Sequence, residues 1–170
     1  LLGLSERGTV DGLDPVGAGA TPYRNAALAE LIRAGALGIL RGNASEIMAL
    51  LDDNLKTKGV DSTAATSDAF SAAQFISRQR KCAVCISGEV DYIVADDRVV
   101  KIANGHPMMT RVTGLGCTAS ALCGAFVSVD KDPLTAAAKA MAVMGIVGEI
   151  AAAKSAGPGS LQMHFLDILF

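Results

Sequence analysis

Two short runs, Ala36-Leu37-Gly38-Ile39-Leu40 and Cys82-Ala83-Val84-Cys85-Ile86, contain no charged or amide residue and show none of the alternation of a strand with one wet face. Runs of this kind suit strands buried on both sides, and such strands need helices above and below them. The helices are legible between the runs. Thr21 reads as an N-cap with Pro22 at the first helical position, opening a helix over 22–34 whose apolar face is Ala26, Leu28, Ala29, Leu31 and Ile32 and which Gly35 ends. A second helix over 67–80 carries Ala69, Phe70, Ala73, Phe75 and Ile76, and its basic end at Arg78 and Arg80 complements the helix C-terminus. Further helices are expected from Cys117 to Val129, packing Ala121, Leu122, Ala125 and Phe126, and over the Ala-rich stretch 133–154. After the break at Gly157-Pro158-Gly159-Ser160 a last one carries Leu161, Phe165, Leu166, Leu169 and Phe170. Tyr92–Ala95 and Val99–Ala103 flank Asp96-Asp97-Arg98 as a hairpin. Residues 52–63 read as an exposed loop, 104–113 as a long loop, and 1–13 as a poorly defined segment ahead of one domain over 14–170. The pattern is α/β.

With 170 residues, 51% of them hydrophobic, the chain can bury a core of one domain, and a net charge of −2 without a basic run argues against nucleic acid or an anionic membrane as partner. The most apolar region, 140–153, is interrupted by Glu149 and is expected to fall short of a membrane span; a cytoplasmic location follows as an expectation. The four cysteines do not make a secreted disulfide framework. Cys82 and Cys85 have the spacing of a metal pair, but an odd separation along a strand points their thiols to opposite faces, and no second pair completes four ligands. His106 and His164 stand alone and read as loop or packing residues.

The chemistry concentrates where loops meet helices. Thr113-Gly114-Leu115-Gly116-Cys117 runs from a turn into an apolar helix, so Gly114 and Gly116 fall at a helix N-terminus, where free amides and the dipole favour an anion. Cys117 is the first thiol after this nest. The strand 36–40 delivers Arg41-Gly42-Asn43-Ala44-Ser45-Glu46 at its carboxyl end, the edge where open α/β sheets bind ligands. There Asn43 and Glu46 can be read as site residues, or Asn43 or Ser45 as the N-cap, with Glu46 near the positive end, of a helix begun by Ile47, Met48, Leu50 and Leu51. Asp14, in Asp14-Pro15-Val16-Gly17-Ala18-Gly19-Ala20, has the same setting at another strand end.

In order and spacing these segments, with Ser87-Gly88-Glu89-Val90-Asp91-Tyr92, Gly105-His106-Pro107-Met108-Met109-Thr110 and Gly157-Pro158-Gly159-Ser160, resemble the hydroxyethylthiazole kinases of thiamine biosynthesis. The resemblance covers about residues 14–170. It implies a ribokinase-like three-layer sandwich with a mostly parallel sheet, here amino-terminally truncated, and a homotrimer with sites between subunits. It also implies transfer of the γ-phosphoryl of ATP to the hydroxyl of 4-methyl-5-(2-hydroxyethyl)thiazole with Mg²⁺. By resemblance Arg41 and Ser87 bind ATP beside Gly116, Gly114 lines the thiazole pocket, and Glu46 and Asp14 help to hold the metal. Cys117 stands where most ribokinase relatives place a catalytic Asp; a free thiol is a poor base near neutrality, so it would orient the alcohol as much as deprotonate it. Leu115 replaces a Thr usual in the family, and Ser87 replaces a Thr while keeping the hydroxyl. Two other readings share these motifs: a non-catalytic nucleotide-binding remnant of such a kinase, and a ribokinase-like enzyme acting on another small alcohol.

Overall fold

The computed structural model describes residues 3–4, 10–51 and 62–170, and side chains over 12–51 and 68–170. In chain order the elements are β1 (Gly3–Leu4), β2 (Val10–Leu13), α1 (Pro22–Ala34), β3 (Leu37–Asn43), α2 (Ala44–Ala49), α3 (Ser62–Arg80), β4 (Ala83–Ser87), β5 (Asp91–Ala95) and β6 (Arg98–Ile102). A 3₁₀ turn over Pro107–Arg111 then leads to α4 (Leu115–Val129), α5 (Pro133–Ala153) and α6 (Pro158–Leu169). The strands form one sheet in the order β1-β2-β3-β4-β5-β6.

Side chains alternate across this sheet, and the two faces collect different helices. Ile39, Ala83, Cys85 and Ile93 meet α4, α5 and α6 through Leu115, Ala119, Cys123, Met144, Leu161 and Phe165. On the other face Leu40, Val84, Ile86 and Val94 meet Ile47 of α2 and Ala69, Ala73 and Ile76 of α3. This is the three-layer α/β sandwich expected of the chain. The sheet itself is mixed rather than mostly parallel: β2-β3 and β3-β4 pair parallel, whereas β1-β2, β4-β5 and β5-β6 pair antiparallel. The reason is connection length. Parallel neighbours need a crossover such as α1 or α3, while the tight turn at Asp96-Asp97 can only reverse the chain.

Several boundaries move for physical reasons. β3 runs on to Asn43 because Arg41, Gly42 and Asn43 find parallel partners in Cys85, Ile86 and Ser87. The segment ahead of Asp14 supplies the interior strand β2, whose partners lie on β3 rather than nearby in sequence. In α4 the buried residues are Leu115, Ala119, Ser120 and Cys123, whereas Ala121 and Ala125 face out. The helix comes down on β2 at Gly12, where an added Cβ would lie 3.6 Å from the Gly124 Cα, so the small residues and not the Ala121 side meet the sheet. Phe75 of α3 is 55% exposed and leaves the apolar face assigned to it, and in α6 Leu166 and Phe170 are likewise exposed while Leu161 and Phe165 are buried. The stretch read as a loop over 52–63 lies mostly outside the described residues, and α3 already begins at Ser62. The loop over 104–113 contains the 3₁₀ turn.

Helix α5 is, by length and composition, long and apolar enough to cross a membrane, against the sequence expectation. It is instead the core helix of this face: Leu134, Ala136, Ala137, Ala140, Met141, Met144, Val147 and Ala151 all belong to the buried cluster. Cys82 and Cys85 do sit on opposite sides of the sheet.

Candidate active site

Three parallel strands end side by side. Leu13 pairs with Leu40 and Asn43 with Ser87, so Asp14, the Arg41–Asn43 segment and Ser87 reach the carboxyl edge of the sheet together. Arg41 and Ser87 have the parity of Ile39 and Cys85, which face α4, and therefore emerge on the same side as that helix.

Helix α4 begins on Gly114, whose φ of 93° is a left-handed conformation that a side chain would strain. No side chain caps this end. The Arg41 guanidinium lies over it: Nη1 donates to the Gly116 carbonyl at 3.1 Å and Nη2 donates to the Ser87 hydroxyl at 2.9 Å. An added Cβ at Gly116 would lie 3.3 Å from Arg41 Nη1, so the glycine lets the cation approach the backbone. Asp14, buried at 8% exposure, places its carboxylate 3.7 Å from Arg41 Nη1 and accepts the Ser120 hydroxyl at 2.6 Å. Ser120 was not singled out in the sequence; the available signal was a hydroxyl on the otherwise apolar face of α4, one turn beyond Gly116, whose carbonyl it also meets.

Glu46 has a different job locally. Its Oε1 accepts the Gly17 amide and its Oε2 the Asn43 amide, each at 3.0 Å, while Asn43 Oδ1 accepts the Glu46 amide at 2.9 Å. This capping box fastens the loop after β2, bent at Gly17 and Gly19 with positive φ, to the start of α2. Of the two sequence readings of Asn43 and Glu46, the cap is the one the geometry displays, and it leaves part of the Glu46 carboxylate unused, since a carboxylate has about four lone-pair sites. Gly42 leaves room here, since a Cβ would press on Pro15 at 3.1 Å and Glu46 at 3.3 Å.

Beside Arg41 opens a cleft of about 790 Å³ lined by Arg41, Ser87, Asp91, His106, Gly116 and Met141, among others. Its floor is partly apolar through Leu115, Ala119, Met141 and Met144. Asp91 is buried, accepts the Gly88 amide at 3.0 Å, and has its carboxyl pushed above the ordinary value by desolvation. The nearby Cys85 and Cys123 thiols are also pushed up by burial, Cys123 to about 11, so both stay protonated and inert. Two buried polar atoms lack partners among the described residues, Arg41 Nε and Asn104 Oδ1.

The structure thus brings Arg41, Ser87 and Gly116 into one cleft and ties Asp14 to it through Arg41 and Ser120. Gly114 and Cys117 sit at the same helix end but outside the cleft wall, and Cys117 is exposed, unlike the other three thiols. Glu46 lies on the far side of Gly42. His106 was read as a loop or packing residue; it caps the 3₁₀ turn and lines the cleft. Among the described residues no group of three His, Cys, Asp or Glu side chains could hold a metal by itself. A guanidinium, a hydroxyl and an uncapped helix N-terminus around one opening have the chemistry to receive an anion.

The chain is 54% identical over 170 residues to a hydroxyethylthiazole kinase of Syntrophus aciditrophicus, covering 99% of this chain and 63% of that one. It is 52% identical over 158 residues to one of Leptospira biflexa, covering 93% and 59%. The solved hydroxyethylthiazole kinase of Pyrococcus horikoshii OT3 superposes with a TM-score of 0.80 at 36% identity, over 92% of this chain and 57% of that one. A Bacillus subtilis ADP/ATP-dependent NAD(P)H-hydrate dehydratase co-crystallized with ATP/Mg²⁺ shares the fold at a TM-score of 0.57 and 16% identity. The chain therefore spans about three-fifths of the length of these kinase relatives. The model of the hydroxyethylthiazole kinase family matches residues 6–170, and that match settles the kinship: the chain belongs to the hydroxyethylthiazole kinase family.

Proposed function

We propose that the protein transfers the γ-phosphoryl group of ATP to the hydroxyl of 4-methyl-5-(2-hydroxyethyl)thiazole, as a cytoplasmic enzyme of thiamine biosynthesis or salvage. The observation that carries this reading is the Arg41 guanidinium bridging the Ser87 hydroxyl and the first turn of α4 at the mouth of the cleft. Phosphoryl transfer asks a protein mainly for positioning and for charge stabilisation, and these groups supply both. Arg41 and Ser87 would exchange their present internal bonds for phosphate oxygens, and the amides opened by Gly114 and Gly116 would receive the migrating group. The alcohol oxygen forms its bond to the γ-phosphorus as the bond to the β-phosphate oxygen breaks, ADP leaves, and the hydroxyl proton departs toward Cys117. Cys117 orients that hydroxyl from the exposed face of the same turn.

Mg²⁺ is usually bound by one or two carboxylates with phosphates and water making up the rest, and it would neutralise charge on the transferring phosphates. The residues fit such an ion. Glu46 keeps lone pairs beyond those given to Gly17 and Asn43, and Asp14 commits one oxygen, Oδ2, to Ser120 and Arg41. The thiazole and its Gly114-side pocket, and a homotrimer, belong to the same proposal. Exposed Ile146 and Ile150, one turn apart on α5, and Met163 and Leu166 on α6 would suit a subunit seam.

Titration calorimetry with ATP–Mg²⁺ and with the thiazole alcohol, followed by an ADP-release assay, tests the reading. Binding of both with thiazole-dependent ADP release is the expected result. Nucleotide binding without turnover makes the chain a nucleotide-binding remnant, turnover only with a different alcohol changes the substrate, and no binding of either ligand removes the proposal.

A further inference from the structure

The charge that interrupts the apolar helix α5 has a partner. Glu149 Oε1 accepts the backbone amide of Gly105 at 2.8 Å, and Gly105 takes a φ of 126°, open to glycine and strained for other residues. Gly105 belongs to the strap that follows β6 and includes the 3₁₀ turn, and this strap forms one wall of the cleft through Asn104, His106, Met109 and Thr110. It is seated on α5 at further points. Asn104 Nδ2 donates to the Ala142 carbonyl at 2.9 Å, and the Asn104 amide fills the place of a side chain at Gly145, where an added Cβ would come within 2.3 Å of Oδ1. Met109 fills the corresponding place at Gly148, where a Cβ would come within 2.1 Å of its sulfur.

Within the strap the His106 ring is held in one protonation pattern. The Met108 amide donates to His106 Nδ1 at 3.2 Å, and the His106 amide contacts Met109 Sδ at 3.4 Å. A ring nitrogen that accepts a backbone N–H carries no proton, so the neutral imidazole keeps its proton on Nε2 as its one donor. His106 is one of the residues that line the cleft.

Resting on the reading of the cleft as a nucleotide site, we propose that Glu149 is a positioning residue for nucleotide binding. By holding Gly105 it sets the strap so that His106 Nε2–H donates to an acceptor atom of the nucleotide. Glu149 touches no ligand itself and acts through the strap.

The test is ATP–Mg²⁺ binding by titration calorimetry with the full chain and its Glu149→Ala, Glu149→Gln, His106→Ala and Glu149→Ala/His106→Ala variants, with thermal midpoints alongside. Glu149→Ala is expected to weaken binding roughly tenfold, the scale of one lost charge-assisted hydrogen bond, with the midpoint little changed. Glu149→Gln should restore most of the affinity, because its amide oxygen accepts the same N–H. The double variant should bind no more weakly than His106→Ala alone, since both changes interrupt one route. Native affinity in Glu149→Ala, no rescue by Gln, or additive losses in the double variant overturns this inference while leaving the nucleotide site standing. A native chain that binds no ATP–Mg²⁺ overturns the reading of the cleft and this inference with it.

Discussion

At the scale of single residues, Cys117 is the one exposed thiol among four, and its neighbours in sequence are the backbone atoms that Arg41 covers. If it handles the alcohol proton, Cys117→Ala should lower kcat by roughly a hundredfold or more, the usual contribution of a positioned acid or base, with little change in the KM for ATP. Cys117→Asp should retain turnover, and a Cys117→Ser variant at full rate would remove the thiol from the mechanism. Ser120→Ala takes a donor from the buried Asp14 carboxylate and should cost ~1–3 kcal/mol of stability in a urea titration; no loss would mean that Asp14 finds another partner. Asp91 gives a pH signature. Desolvation holds its carboxyl above the ordinary 3.8, with the Gly88 amide and Arg41 pulling less strongly the other way, so the folded chain binds this proton more tightly than the unfolded one. Its contribution to stability therefore declines as pH rises from 3.8 through the raised value and stays low beyond it. Asp91→Asn should be more stable than the native chain at pH 7 and lose that advantage toward pH 3, and the reverse ordering in thermal melts would contradict the assignment. Arg41, Gly116 and Cys117 could be proposed from the sequence because loop-to-helix junctions and strand ends are local features, whereas Ser87 entered only through the family resemblance. Ser120, Asp91 and His106 could not, because each acquires its role from a partner or cleft that only the folded chain provides.

At the scale of elements, the sequence located helices by their caps and most of their inward residues, and misplaced Phe75, Ala121, Ala125, Leu166 and Phe170. Thr21 with Pro22 opened α1 where expected, and of the two caps the sequence offered before Ile47, Asn43 rather than Ser45 opens α2. Of the face expected for α4, Leu122 and Phe126 pack against the core while Ala121 and Ala125 face out, because apolar spacing alone admits both the Leu115/Ala119/Cys123 side and the Ala121/Ala125 side. The close approach at Gly12 and Gly124 decides between them. The same reasoning yields a prediction for α5. Gly148→Ala would drive a methyl into the Met109 sulfur, and cores that are overpacked lose about 1–3 kcal/mol; chemical denaturation should show it. Gly148→Ala at native stability would mean that the strap does not seat in the helix. On the surface, Arg98 of β6 forks onto the Asp132 carboxylate at 2.7 and 2.9 Å, where α5 begins. That fork, with the Thr135 hydroxyl, holds Asp132 down at about 2 from 3.8. Its stabilisation is present above 3.8 and fades as pH falls through about 2, a modest effect for so exposed a pair.

At the scale of the whole molecule, two cores share one sheet, and Phe165 and Ile39 are completely buried in one while Leu40 and Ile47 are completely buried in the other. Phe165→Ala should therefore cost about 3–5 kcal/mol, read by denaturant melting, and a loss below 1 would show α6 to be only loosely attached. The proposed trimer predicts three times the monomer mass in light scattering, and charges placed at Ile146 and Ile150 should dissociate it; a monomeric native chain would end that part of the proposal. By itself the sequence determined the α/β class, the buried strands, most helix limits and the glycine turn that opens α4, because each depends on residues within a few positions of one another. Only the tertiary structure decided the mixed sheet with β2 inside it, the inward face of α4, and the meeting of Asp14, Arg41, Ser87 and Ser120. Those are pairings between distant segments, and their energies come from burial and close approach that no local pattern encodes.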